Sequence, residues 1–276
     1  MLEKDKSIQK KKEVTKCKID KISRQNQKNQ QTKIEIEKLK YFSFLKKEIL
    51  THIISLIDYS YNLEVKKVEE KIKEIVWSQL SAVQDRFEVG VLTKTDVAFS
   101  ESEVANMETK IGFAKLALSE NKIKIEGEDN LDFIFDLIND NNVSDNNVSK
   151  VEKLKEIFFK SNTELYIKEL EVKVEEKCNK KEQEYHWEKF KIEGLNKIET
   201  IKNKIKTYQA LKISNEVEIK ASEIYDEGVL SEWSGGSRTT IDVFNSKNSL
   251  QNAKLESIKI KSEILKSYYQ LVFLTI

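Results

Sequence analysis

No proline occurs anywhere in these 276 residues, and glycine occurs seven times. Folds built from strands and many loops need both residues for turns and caps, so long helices are the simplest use of such a chain. Its length allows one large domain or two small ones. Val65, Val68, Ile72, Ile75, Val83 and Phe87 recur mostly at steps of three, four or their sums, with charges between them. That period predicts an amphipathic helix from about residue 34 to 87, on the order of 80 Å long at 1.5 Å per residue. A helix of that length has to lie against other long helices, in coiled-coil fashion. Gly90 then interrupts the pattern. A second helix is expected from about Thr95 to Ile125, with a seam of Val97, Val104, Met107, Ile111, Ala114 and Leu118. A turn between two such helices makes an antiparallel helical hairpin.

The remainder repeats this plan. Residues 126–148 carry a short apolar run, Leu131 to Ile138, and then an Asn/Asp/Ser loop that lacks the central glycine and terminal glutamate of a calcium loop. Ser149 and Glu152 have capping-box spacing for the next helix. A long helical region is expected from about Val151 to Trp233, with a bend near Gly194. Gly235-Gly236 ends it, and a last helix runs from about Thr240 to Ile276. The expected organisation is a polar extension (1–33), a first hairpin (34–125, tip near 88–96), a connector (126–160) and a second hairpin (161–276, tip near 233–242).

A shift of 146 residues superposes the halves. Gly90 meets Gly236, Thr93 meets Thr239, Asp96 meets Asp242, Val97 meets Val243, Ser100 meets Ser246 and Asn106 meets Asn252. Six identities in seventeen positions, in one order of parts, indicate an internal duplication.

Bulk chemistry narrows the function. Lys+Arg 48 against Asp+Glu 47 leaves a net charge of +1, unlike the strongly basic domain that holds nucleic acid by bulk charge. Cys17 and Cys178 lie far apart and indicate no disulfide framework; free thiols are the expected state, with a single bridge as the alternative. His52 and His186 sit in helical segments. No second ligand pair completes a zinc spacing with Cys178 and His186. No phosphate-binding glycine loop, nucleophile elbow or HExxH motif occurs. The reading is a non-enzyme without metal or cofactor. No signal peptide is visible and no window is apolar enough for a transmembrane helix, so the chain as given reads as cytoplasmic if complete.

Both hairpin turns follow one formula, "EVGVLTKTDV" from Glu88 and "SGGSRTTIDV" from Ser234. Glycine tolerates a left-handed backbone, Thr93 or Thr95 and Thr239 or Thr240 can cap the outgoing helix, and Asp96 and Asp242 suit a helix N-terminus. Two matched tips on long hairpins also suggest a repeated contact surface.

"DRFEVGVLTKTDVAFSESEVANMETKIGFAKLAL" resembles the first periplasmic-tip segment of the outer membrane efflux protein (TolC) family, where an RFxVG-x-x-T-x-TDV turn joins two coiled-coil helices. "EGVLSEWSGGSRTTIDVFNSKNSLQNAKLESIKIKSEILKSYYQL" is similar to its second tip, and "SNTELYIKELEVKVEEK" to the NPEL segment opening the second repeat, with Thr163 where proline is usual. The motif-bearing match covers roughly residues 48–125 and 150–276.

The resemblance implies an all-α chain of two long antiparallel coiled-coil hairpins of α-barrel type. Such a chain would serve as the channel of a tripartite efflux or type I secretion assembly at the cell outer membrane and periplasm. It implies a homotrimer, passive export of small molecules or proteins, a periplasmic adaptor (membrane fusion) protein and an inner-membrane transporter as partners, and no nucleic acid. Val89, Gly90, Val91, Leu92, Gly235, Gly236 and Ser237 would form the adaptor-facing tips. Thr95, Asp96, Trp233, Arg238 and Asp242 would form the pore gate, with Arg238 pairing to the polar residues of the first tip and Asp242 in an acidic ring that Asn245 weakens. The family's β-barrel strands have no place here: residues 179–200 run from helix to helix, and 1–33 are polar. The expectation is a reduced, degraded or fragmentary relative with strands missing or vestigial. The rival expectation is a soluble coiled-coil scaffold or interaction protein without transport activity.

Overall fold

The computed structural model describes the backbone of residues 2–124, 151–174 and 180–275, and side chains over most of that range from Arg24 onward. Six helices account for it: α1 (Leu2–Glu88), α2 (Lys94–Lys124), α3 (Val151–Ser161), α4 (Thr163–Val174), α5 (Lys180–Ser234) and α6 (Thr240–Thr275). No strand occurs among the described residues. The chain is therefore all-α, with two long hairpins, α1–α2 and α5–α6. The apolar run Leu131–Ile138, the Ser149 cap and Cys178 lie outside the described residues.

α1 starts well before residue 34 and runs unbroken through the polar Gln/Asn stretch at 25–31. Glutamine and lysine are good helix formers, and nothing there breaks a helix. The expected continuous helix from 151 to 233 is instead interrupted at Asn162. The Asn162 side-chain oxygen accepts from the Leu165 N–H at 2.8 Å, capping α4. Thr163 thus holds the first helical position, which tolerates proline best. Helix α5 continues through Gly194, expected as a bend. A Cβ at Gly194 would come within 2.2 Å of the buried Phe158 ring, so close packing of α3 requires the glycine.

Contacts divide the chain into two units. One holds Met1–Glu48, Val151–Ile198 and Leu274–Ile276. Its core joins Ile36 of α1 to Ile167 and Leu170 of α4, with Leu39 and Val174 against them. Across the same helices, Lys47 pairs with Glu164 at 2.7 Å and Ser43 donates to Glu164 at 3.1 Å. Asn162 also donates to the Leu274 carbonyl at 2.7 Å, fixing the end of α6 in this unit.

The other unit holds Ile49–Lys150 and Glu199–Phe273. Val76 and Leu80 of α1, Val104 and Met107 of α2, and Phe244 of α6 form its central cluster, with Ile72 and Phe99 packed on it. The duplication is written in burial as well as in sequence. At a spacing of 146, Glu69 and Asn215, Val76 and Ser222, Leu80 and Asp226, Val83 and Val229, Ser100 and Ser246, Met107 and Ala253, and Ala114 and Ile260 are all buried. One register of inward positions has been kept while the side chains that fill it diverged.

One layer from that cluster, the Gln251 amide of α6 donates to the buried Glu69 carboxylate of α1 and lies 3.9 Å from the Met107 sulfur of α2. Burial pushes the Glu69 carboxyl up, against the opposing pull of Lys110 and of the Gln251 N–H. A raised folded-state pKa means the native protein keeps a proton that the unfolded chain releases. Glu69 therefore supports the fold fully below its unfolded pKa, about 4.3, and that support is lost as pH rises through the folded value. Glu69→Gln keeps an acceptor for Gln251 without the charge. It is expected to be more stable than the parent at neutral pH, by a few tenths to about 1 kcal/mol. The gap should close on acidification to about pH 4 in urea titrations.

Candidate functional site at the hairpin tips

The end of α1 and the end of α5 close through the same pair of backbone bonds. At the first tip the Gly90 N–H donates to the Phe87 carbonyl at 2.9 Å and the Val91 N–H to the Arg86 carbonyl at 2.9 Å. At the second, the Gly236 N–H donates to Trp233 at 3.0 Å and the Ser237 N–H to Glu232 at 2.9 Å. This is the Schellman pair of bonds, which requires a left-handed residue after the helix. Gly90 and Gly236 supply it, at φ 78° and 82°. Gly235 keeps a negative φ and lies beside the reversal without making it.

Each outgoing helix starts with a reciprocal cap. The Thr93 N–H and hydroxyl donate to one Asp96 oxygen at 2.9 and 2.6 Å, and the Asp96 N–H returns a bond to the hydroxyl at 3.3 Å. Thr239 and Asp242 repeat this at 2.9, 2.8 and 3.2 Å. The capping threonines are thus Thr93 and Thr239. Thr95 lies exposed in the first turn of α2, and Thr240 is buried. The Thr93 hydroxyl, then its N–H, hold the Asp96 carboxyl below the usual carboxylate range. For Asp242 the Thr239 N–H acts first and the hydroxyl second. A Thr-x-x-Asp box of this kind is worth about 1 kcal/mol to its helix.

The remaining tip residues divide by exposure. Val89 and Val91 are 73% and 67% exposed, unusual for valine, and Gly90, Gly235, Gly236 and Ser237 are exposed with them, while Leu92 is half-buried. Arg238 is exposed, and its Nε donates to Glu232 at 2.6 Å. Within the chain Arg238 therefore pairs along its own turn, while the Asp96 and Asp242 carboxylates are each held by a threonine. In both aspartates the bonds fall on Oδ2, so Oδ1 remains open to a further donor.

The link between the tips comes from Arg86. Its guanidinium lies 3.8 Å from the centre of the Trp233 ring, and its Nη1 donates to the Trp233 carbonyl at 3.1 Å. That carbonyl also closes the second Schellman turn, so one arginine from the first hairpin braces the reversal of the second. Stacking of this kind adds about 0.5–2 kcal/mol, according to how far the cation is desolvated. Arg86 is not among the site residues expected from the sequence. Its only sequence signal is its place in "DRFEVG", directly before the turn.

No protein-family model matches the sequence, and no curated protein is significantly similar to it. Solved structures do share the fold. The outer membrane channel CmeC of Campylobacter jejuni superposes with a TM-score of 0.71 at 11% identity, over 91% of this chain and 67% of that one. The outer-membrane channel OprN gives 0.73 at 7% identity, over 87% and 68%. The outer membrane protein VceC of Vibrio cholerae gives 0.70 at 10% identity, over 87% and 72%. At such identities the likeness establishes the architecture, two duplicated helical hairpins shared with outer-membrane channels, and nothing finer.

Proposed function

We propose that the chain is a member of the outer membrane efflux protein family, contributing its two hairpins to a homotrimeric helical barrel for passive export. The assembly would span the periplasm, and the export would be of small molecules or proteins in tripartite efflux or type I secretion. The observation that supports this reading best is the repetition of the same Schellman bonds and Thr-x-x-Asp cap at the two tips, in a fold shared with outer-membrane channels. Helix termination alone requires no matching of sequence between the tips, whereas a ring of equivalent contacts does.

In this reading Val89, Gly90, Val91, Leu92, Gly235, Gly236 and Ser237 face a periplasmic adaptor, which an inner-membrane transporter completes. Thr95, Asp96, Trp233, Arg238 and Asp242 gate the pore. Arg238 would exchange its own-chain Glu232 for the open Oδ1 of an aspartate on a neighbouring copy. Exposed pairs of this kind are worth only about 0–1 kcal/mol each, so such a gate is easily biased by a docking partner.

The test combines mass and proximity. Purified protein should sediment as a trimer, and photo-crosslinkers placed at Val91 or Ser237 in cells should trap the adaptor while one at the mid-helix residue Lys67 does not. Recovery as a soluble monomer with no tip-specific crosslink would sink the channel reading in favour of a coiled-coil scaffold.

A further inference from the structure

The near-neutral net charge conceals a division along the chain. Residues 2–33 hold eleven Lys and Arg against four Asp and Glu, a net +7, while the rest carries 37 against 43, a net −6. The basic stretch lies on α1 and leads, on the same unbroken helix, into a stripe of apolar side chains that no described residue covers. Ile34, Tyr41 and Phe42 are 53%, 61% and 58% exposed. With Lys38 and Leu45 they recur at helical spacings that place them on one face. Lys33 and Lys38 line the same shallow depression as the three apolar residues, and neither is in an ion pair among the described residues.

We infer that this face of α1 docks on an anionic phospholipid surface, with Ile34, Tyr41 and Phe42 entering the headgroup boundary and the lysines meeting phosphate. Lys38 separates this occupant from the others. It lies in the middle of the stripe, where a second helix packed on the seam would bury its ammonium. At a membrane its stem can cover apolar surface while its head reaches the phosphates. Ile34 and Leu45 add aliphatic surface, which offers nothing for a nucleic-acid base to stack on. A small apolar anchor beside a polybasic stretch is the two-part arrangement that peripheral attachment requires, each lysine at the surface adding roughly five-fold in affinity. This inference does not depend on the channel reading.

The test is co-sedimentation of the full chain with phosphatidylcholine vesicles, with or without about a quarter phosphatidylglycerol. Binding is expected only with the anionic lipid. It should weaken at least about tenfold when salt is raised from about 0.1 to about 0.5 M. Both Tyr41→Ser/Phe42→Ser and Lys33→Glu/Lys38→Glu should weaken it about tenfold while leaving helical content and solution mass unchanged. These side chains are exposed, so the variants keep the fold. No pelleting, or equal pelleting with neutral lipid, would overturn the inference. So would displacement by a single-stranded oligonucleotide with Tyr41 and Phe42 dispensable, which would make the basic stretch a nucleic-acid arm. A change of solution mass in Tyr41→Ser/Phe42→Ser, with lipid binding intact, would assign the stripe to a second copy of the chain.

Discussion

Phe244→Ala is expected to destabilise the chain by about 3–5 kcal/mol, the upper range for emptying a core aromatic position. Phe244 is 2% exposed and belongs to α6, yet its ring is buried among Val76 and Leu80 of α1 and Val104 and Met107 of α2. It also meets Phe99 edge-on, with ring centroids 5.5 Å apart and planes at 66°. Such a pair adds about 0.5–1.5 kcal/mol beyond the area it buries. The side chain therefore fastens the second hairpin into the core of the first. Its counterpart at a spacing of 146 is Ala98, which is exposed, so the insertion is one-sided and the first repeat cannot compensate. Urea titration followed by circular dichroism should show a lower midpoint at an unchanged slope. Phe244→Leu, which leaves a smaller void, should lose well under half as much. A loss below about 1.5 kcal/mol for Phe244→Ala would mean the hairpins are held together elsewhere.

That contact marks a boundary of what the sequence discloses. The absence of proline and the paired Gly and Thr-x-x-Asp turns lead directly to two hairpins, because the physics that ends a helix is local. The seam of α2 was equally open: Val104, Met107, Ile111 and Ala114 are all buried. On α1 the period picks out Ile72 and Val83, which do pack inward, but it is one residue off between them and includes Phe87, which is 42% exposed. Val76 and Leu80 face inward, while Ile75 is 42% exposed. One position on a helix is 100° of rotation, and in a long helix rich in isoleucine and valine the period alone does not choose between neighbours. Long-range contacts left no trace. The ring of Phe158 against Gly194 spans 36 residues, and the brace from Arg86 to Trp233 spans 147. In both cases the sequence marked one partner as unusual, a glycine or a tryptophan, while nothing in it paired that residue with Phe158 or with the Arg86 of "DRFEVG".

The duplication makes a second large effect predictable from the protein's own history. Position 80 and its counterpart 226 are both buried, but the first repeat places Leu80 there and the second Asp226. Asp226 accepts from the Ser246 hydroxyl at 2.8 Å and from the Lys247 ammonium. The two charged side chains are only 6% and 15% exposed. Removing one partner strands the other charge away from water, so Asp226→Ala should cost about 3–5 kcal/mol. Ser246 loses less, because its hydroxyl hydrogen can turn to the Val243 carbonyl at 2.9 Å. Making position 226 apolar, as Leu80 is in the first repeat, and removing the ammonium along with the carboxylate should reverse the loss. Asp226→Leu combined with Lys247→Met exchanges a buried ion pair for apolar side chains of similar volume, a replacement that is often neutral or stabilising. The double variant is expected within about 1 kcal/mol of the parent or above it, by the same urea titrations. If it were as unstable as Asp226→Ala, the cost would lie in the shape of this layer rather than in the stranded lysine. The two repeats would then share a register without sharing a packing solution.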